Sequence, residues 1–136
     1  MLETISIIIP IYNVESYLRK CLDSIIEQSF PYFELLLIND GSTDASTQIC
    51  QEYVEKDDRI RYFEKENGGV SSARNFGIKH SRGEYITFID SDDWIEPNYL
   101  EILYKTIKER GSRKDCLFSY IFLSETFLFL YLSFSC

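Results

Sequence analysis

The sequence predicts an α/β fold: a mostly parallel sheet flanked by helices, incomplete at its carboxyl end. Three observations predict it. Strand and helix signals alternate from Ile5 to Glu109. The strand-like segments are continuous apolar runs, which suit strands covered on both faces. Polar, acidic and turn-forming residues gather directly after three of these runs, at the sheet edge where such folds hold their ligands.

Residues 5–9, Ile-Ser-Ile-Ile-Ile, are a short β-branched run that Pro10 ends. Residues 15–28 place Leu18, Cys21, Leu22, Ile25 and Ile26 at the spacing of one buried helix face, and Ser29-Phe30-Pro31 stops that helix. Residues 33–38 are a second buried strand running into Asn39-Asp40-Gly41-Ser42-Thr43-Asp44, where Thr43 or Asp44 suits the cap of a helix reaching about Val54. Residues 60–63 form a shorter third strand. Asn67-Gly68-Gly69 then turns the chain into a helix over 71–79. Residues 85–89 are the fourth strand, ending at Asp90-Ser91-Asp92-Asp93, and Pro97 opens a helix over 98–109. This order gives one partial domain over 1–114 and an apolar tail over 115–136.

The chain has 136 residues, 45% hydrophobic and 26% charged, which rules out a disordered chain and leaves enough apolar residues for a core. Fourteen Lys and Arg against 22 Asp and Glu give a net charge of -8, which argues against nucleic acid as a partner. A small anionic ligand is not excluded, because one metal ion reverses the charge of a site locally. The four cysteines, Cys21, Cys50, Cys116 and Cys136, form no C-x-x-C pair, and His80 is the one histidine, so a zinc site is not expected. The cysteines read as small apolar fillers in a reducing compartment. His80 reads as a surface residue at a helix end. Met1-Leu2-Glu3-Thr4 lacks a basic leader, so a cytoplasmic location is expected.

Residues 116–136 carry one charge, Glu125, and neither Gly nor Pro. As a helix they would span about 31 Å, close to a bilayer core, and Arg110, Arg113 and Lys114 precede them. A membrane anchor is therefore one reading, which would put the chain at the inner face of the membrane. Core strands over 117–123 and 127–132 are another. The reading preferred is out-of-frame or truncated sequence, because the α/β alternation is lost beyond Gly111.

Asp90, Asp92 and Asp93 are three acids within four residues, and their mutual repulsion invites a divalent cation, Mg²⁺ or Mn²⁺. A solvated turn capping the next helix is the plain alternative. Asp40 offers an acceptor after the second strand. Tyr12 offers a stacking face or a core aromatic ring. Asn67-Gly68-Gly69 allows close backbone approach to a ligand or makes a simple turn. Arg74 reaches a phosphate or a helix neighbour.

Residues 6–15 (Ser-Ile-Ile-Ile-Pro-Ile-Tyr-Asn-Val-Glu), 39–44 (Asn-Asp-Gly-Ser-Thr-Asp), 67–75 (Asn-Gly-Gly-Val-Ser-Ser-Ala-Arg-Asn) and 88–93 (Phe-Ile-Asp-Ser-Asp-Asp) resemble the successive motifs of glycosyltransferase family 2, in order and with similar spacing. The resemblance covers residues 5–109. It implies the GT-A fold, a Rossmann-like nucleotide-diphospho-sugar transferase fold. It also implies an inverting, metal-dependent transfer of sugar from a nucleotide-sugar donor, usually a UDP-sugar, to an acceptor hydroxyl in cell-surface polysaccharide or glycan synthesis. By resemblance, Pro10, Tyr12 and Glu15 belong to the nucleotide segment, and Asp40 reads the base, accepting the imide N–H of uracil. Asn67 and Arg74 border the nucleotide and diphosphate. Asp92 ligates the metal, and Asp90 contacts the ribose or the metal's water shell. Asn39 departs from the acid that many members carry before Asp40.

An inverting transferase also needs a general base. In the family that acid lies well after the Asp-x-Asp motif. Here only Glu125 follows Asp115, and it matches no family motif. No catalytic base is therefore assigned. A catalytically inactive fragment that at most binds nucleotide-sugar is the alternative. The sugar and the acceptor, a glycan or lipid-linked molecule, are not specified, and membrane association through the tail is open.

Overall fold

The computed structural model describes residues 3–109 and the backbone of residues 117–123 and 127–133. The elements run β1 (Ile5–Ile11), α1 (Glu15–Ile26), β2 (Phe33–Asn39), α2 (Ser46–Lys56), β3 (Ile60–Glu64), α3 (Val70–His80), β4 (Tyr85–Phe88), α4 (Tyr99–Glu109), β5 (Leu117–Leu123) and β6 (Phe127–Ser133). The first four strands form one parallel sheet in the order β3-β2-β1-β4. The chain steps outward from β1 to β3 and then returns to the far side of β1, so the strand order reverses between β1 and β4. Crevices for ligands open at such a reversal, outside the carboxyl ends of the strands.

Side-chain alternation along the central strands explains the unbroken apolar runs. Ile5, Ile7, Ile9 and Ile11 of β1, with Leu35 and Leu37 of β2, pack against the buried faces of α1, α2 and α4. Ile8, Leu36 and Ile38 point the other way, onto Ala73 of α3. Both faces are buried, so neither register position tolerates a polar repeat. Gly77 is what lets α3 lie so close to the sheet: a Cβ there would stand 2.5 Å from Cγ2 of Ile8.

Several boundaries differ from those expected. β1 runs through Pro10 to Ile11. Ile8 and Pro10 share a parity, and the Ile8 carbonyl accepts the Ile89 N–H on the β4 side. β4 pairs with β1 only as far as Ile8, so the N–H that proline lacks would have no ladder partner there. α1 ends at Ile26, before the expected Gln28. Gln28 is held instead by the approach to α4: its Nε2 donates to the Glu96 carbonyl at 2.6 Å, and its Oε1 accepts the Leu100 N–H at 2.9 Å. His80 is half-buried rather than a surface residue. Its ring stacks on Phe76 at 4.2 Å and lies 4.9 Å from Phe63, completing the aromatic cluster on the thinner, α3-covered side.

Cys21 and Cys50 are buried and free, as fillers should be. Burial first, then for Cys21 the nearby acids, pushes each thiol up to about 12. Cys116, Cys136 and Glu125 lie outside the described residues. β5 and β6 pair antiparallel from Leu117↔Ser133 to Leu123↔Phe127. Those segments are strands, as one of the three readings of the tail has it, and not the single long helix that an anchor requires. Among the described residues no helix is long and apolar enough to cross a membrane.

Candidate functional site

A basin of about 390 Å³ opens at the carboxyl ends of β1, β2 and β4, lined by Pro10, Ile11, Tyr12, Val14, Asp40, Val70, Ala73, Asp90, Ser91 and Asp92. It occupies the crevice that the strand reversal creates. Five residues expected in the site line it: Pro10, Tyr12, Asp40, Asp90 and Asp92. Tyr12 is half exposed at 51%, so its ring is a free face and not a core aromatic. Ile11, Val14, Val70, Ala73 and Ser91 also line the basin. Sequence reasoning missed them because apolar and small residues beside a motif carry no chemical signal of their own.

Glu15, Asn67 and Arg74 lie outside the lining, and Glu15 and Asn67 make structural contacts. Glu15 Oε2 accepts the Ala45 N–H at 2.8 Å, and the Glu15 N–H donates to Asp44 Oδ2 at 3.1 Å. Asn13, held at a left-handed φ of 49°, accepts the Thr43 N–H on Oδ1 at 2.8 Å. The Asn13 and Val14 N–H groups donate to the hydroxyls of Ser42 and Ser46, each at 3.1 Å. The N-cap position of α2 is Ala45, which makes no side-chain cap, and not the expected Thr43 or Asp44; Asp44, one residue earlier, accepts the Ser46 N–H at 2.9 Å. The loop after β1 and the loop after β2 thus bolt each other together. Asn39, the family departure, is consumed within the fold: its Nδ2 donates to Thr47 Oγ1 and to the Tyr62 hydroxyl, both at 2.8 Å.

Asp40 is almost fully buried, at 3% exposure. Its Oδ1 accepts from Lys65 Nζ at 2.6 Å and the Gly68 N–H at 3.0 Å, and its Oδ2 accepts the Gly69 N–H at 2.9 Å. Burial alone would push this carboxyl up. The hydrogen bonds and the Lys65 charge outweigh it and hold the group below the ordinary aspartate range. Asn67 Nδ2 donates to the Asp40 carbonyl at 3.1 Å, so the whole 67–69 turn closes on this residue. Gly69 sits at φ +93°, where a side chain would be strained, and this geometry aims its N–H at Asp40.

At the other end of the basin, Asp90, Asp92 and Asp93 have carboxylate oxygens within 4.8 Å of one another. Burial and then the charges of Asp92 and Asp90 raise the Asp93 carboxyl above its ordinary value. Arg74 Nη2 donates to Asp90 Oδ1 at 3.3 Å, while its buried Nε has no hydrogen-bond partner. The arrangement is a set of hard oxygen donors beside a guanidinium. That suits a divalent metal and a phosphate oxygen.

Residues 6–129 match the sequence profile of Glycosyl transferase family 2, running further than the motif resemblance over 5–109. Glycosyltransferase GlyA of Streptococcus pneumoniae is 58% identical over 107 residues, which are 79% of this chain and 15% of that protein. The crystal structure of Staphylococcus aureus TarS 1-349 in complex with UDP superposes with a TM-score of 0.75 at 34% identity, over 83% of this chain and 34% of that one. The mannosyltransferase PcManGT of Pyrobaculum calidifontis, in complex with GDP-Man and Mn²⁺, superposes with a TM-score of 0.71 at 26% identity, over 76% of this chain and 32% of that one. The chain thus spans about a third or less of each of these proteins.

Proposed function

The chain belongs to glycosyltransferase family 2 and has its GT-A fold, and from that premise we propose that the basin binds a UDP-sugar together with Mn²⁺ or Mg²⁺, as the donor half of an inverting sugar transferase. The observation that carries this reading is the polarity of the basin. A single ionised acceptor, Asp40, lines one part of it, and Asp90 and Asp92 line another, with Asp93 and Arg74 beside them outside the lining. Asp40 accepts the imide N–H of uracil, and Tyr12 gives the base a face to stack on. Pro10 supplies the wall beneath the nucleotide. Glu15 and Asn67 act by holding the loops that shape the pocket. Asp92, which is exposed, and Asp90 would hold the metal, which supplies charge neutralisation for a departing diphosphate. Arg74, a third exposed beside Asp90, would turn the exposed part of its guanidinium to a diphosphate oxygen.

Of the carboxylates lining the basin, Asp40 is held charged by its own loop with one acceptor position left for the base, and Asp90 and Asp92 would be taken by the metal. None is left to take a proton from an acceptor hydroxyl. This favours a second reading, donor binding without transfer by these 136 residues. We place the chain in the cytoplasm. Its acceptor is a glycan or lipid-linked molecule of cell-surface polysaccharide synthesis, and any association with the inner membrane face runs through the tail.

Calorimetric titration of UDP and GDP, each with Mn²⁺ and with chelator, tests the donor site. Metal-dependent binding that prefers UDP is expected. Absence of binding to a folded, monodisperse sample, or equal binding with chelator, overturns it. Sugar transfer by the chain would remove the second reading.

A further inference from the structure

Lys65 was not among the residues that the sequence singled out, and it does not line the basin. Its ammonium is nonetheless the shortest contact of Asp40, at 2.6 Å, in a pair whose side chains are 15% and 5% exposed. The same Nζ donates to the Glu66 carbonyl at 2.7 Å, so the lysine is itself anchored. An ionised carboxylate has about four acceptor positions. Lys65 and Gly68 take two on Oδ1, and Gly69 takes one on Oδ2. One position on Oδ2 is left.

We propose that Lys65 is a positioning residue for base recognition: it pins Oδ1 of Asp40 against the 68–69 backbone and keeps the carboxylate charged, so that the basin presents one fixed acceptor on Oδ2. This rests on Asp40 being the group that reads the base. A fixed anionic acceptor favours a ring N–H, as uracil has at N3, and repels the bare ring nitrogen that cytosine has in the same place. Without the lysine the buried carboxyl loses its counter-charge and binds a proton more readily. A protonated Asp40 donates to cytosine as readily as it accepts from uracil. Lys65 therefore sets the choice between two bases of equal size without touching either.

The test is calorimetric titration of UDP and CDP, with Mn²⁺, into the full chain and its Lys65→Met and Lys65→Arg variants. The wild-type chain is expected to prefer UDP by roughly tenfold or more, the worth of a hydrogen bond to a charged group. Lys65→Met should bring the ratio below about threefold, chiefly by gaining CDP affinity, and Lys65→Arg should restore it. A fold-supporting role alone would weaken both ligands together and leave the ratio unmoved. A wild-type ratio in Lys65→Met overturns the role of Lys65 while base reading by Asp40 stands. An even ratio in the wild-type chain overturns base reading by Asp40, and the proposal with it. Should Lys65→Met fail to fold, Lys65→Gln keeps a neutral donor of similar reach, and an unchanged ratio in that variant is equally fatal.

Discussion

Replacing Asp40 by alanine removes a group that the fold itself uses, and its cost can be worked from the contacts. The variant strands the Lys65 ammonium at 15% exposure and leaves the Gly68 and Gly69 N–H groups without their acceptor. Breaking one side of a buried pair costs about 3–5 kcal/mol, a large part of a total stability of about 5–15 kcal/mol. Asp40→Asn keeps a carbonyl oxygen and should lose only about 1–3 kcal/mol. Guanidinium unfolding followed by circular dichroism reads this as a lower midpoint at unchanged slope. Acid supplies a second readout. The folded carboxyl titrates below its ordinary value of 3.8, so its stabilisation is full above that pH and is lost as pH falls through the folded value. The gap between wild type and Asp40→Ala should therefore narrow in acid. A variant within about 0.5 kcal/mol of wild type at neutral pH, or a gap that does not close in acid, would refute the idea that Asp40 holds the 67–69 turn.

Asp92→Ala should behave oppositely. Asp92 is exposed and faces two like charges, so stability should stay within about 0.5 kcal/mol of wild type or rise, while Mn²⁺-dependent UDP binding is lost; retained binding would sink the metal assignment. Gly77→Ala gains about 1 kcal/mol of helix propensity but drives a methyl to 2.5 Å from Ile8 Cγ2 in the packed core. Overpacking of that kind costs about 1–3 kcal/mol, so a net loss is expected in the unfolding midpoint, and a stabilised variant would show that α3 is free to lift.

The parallel sheet was legible because its strands are buried on both faces, which forces apolar runs such as residues 7–9 and 35–38. The acids of the basin were legible because they follow those runs directly. What stayed hidden was the division of labour among motif residues. Glu15 and Asn67 sit in motifs that bear on the nucleotide, yet in the fold their side chains satisfy backbone donors and acceptors of neighbouring loops. A one-dimensional pattern cannot tell a residue that meets a ligand from one that shapes the wall behind it. Lys65 was hidden for a related reason. It reaches Asp40 from the loop just after β3, 25 residues later, and no local spacing marks such a pair. Pro10 misled because a strand-ending residue is harmless where the adjoining ladder has already stopped.

The bolt between the loops after β1 and β2 bears on how such chains can be recombined. Asn13 and Glu15 on one loop, and Ser42, Asp44 and Ser46 on the other, exchange hydrogen bonds in both directions. Neither segment can be transplanted alone without orphaning backbone groups on its mate. The two stretches, about thirty residues apart in the chain, behave as one interchangeable cassette. Donor preference in a chimera should therefore travel only when both halves of that cassette come from the same parent.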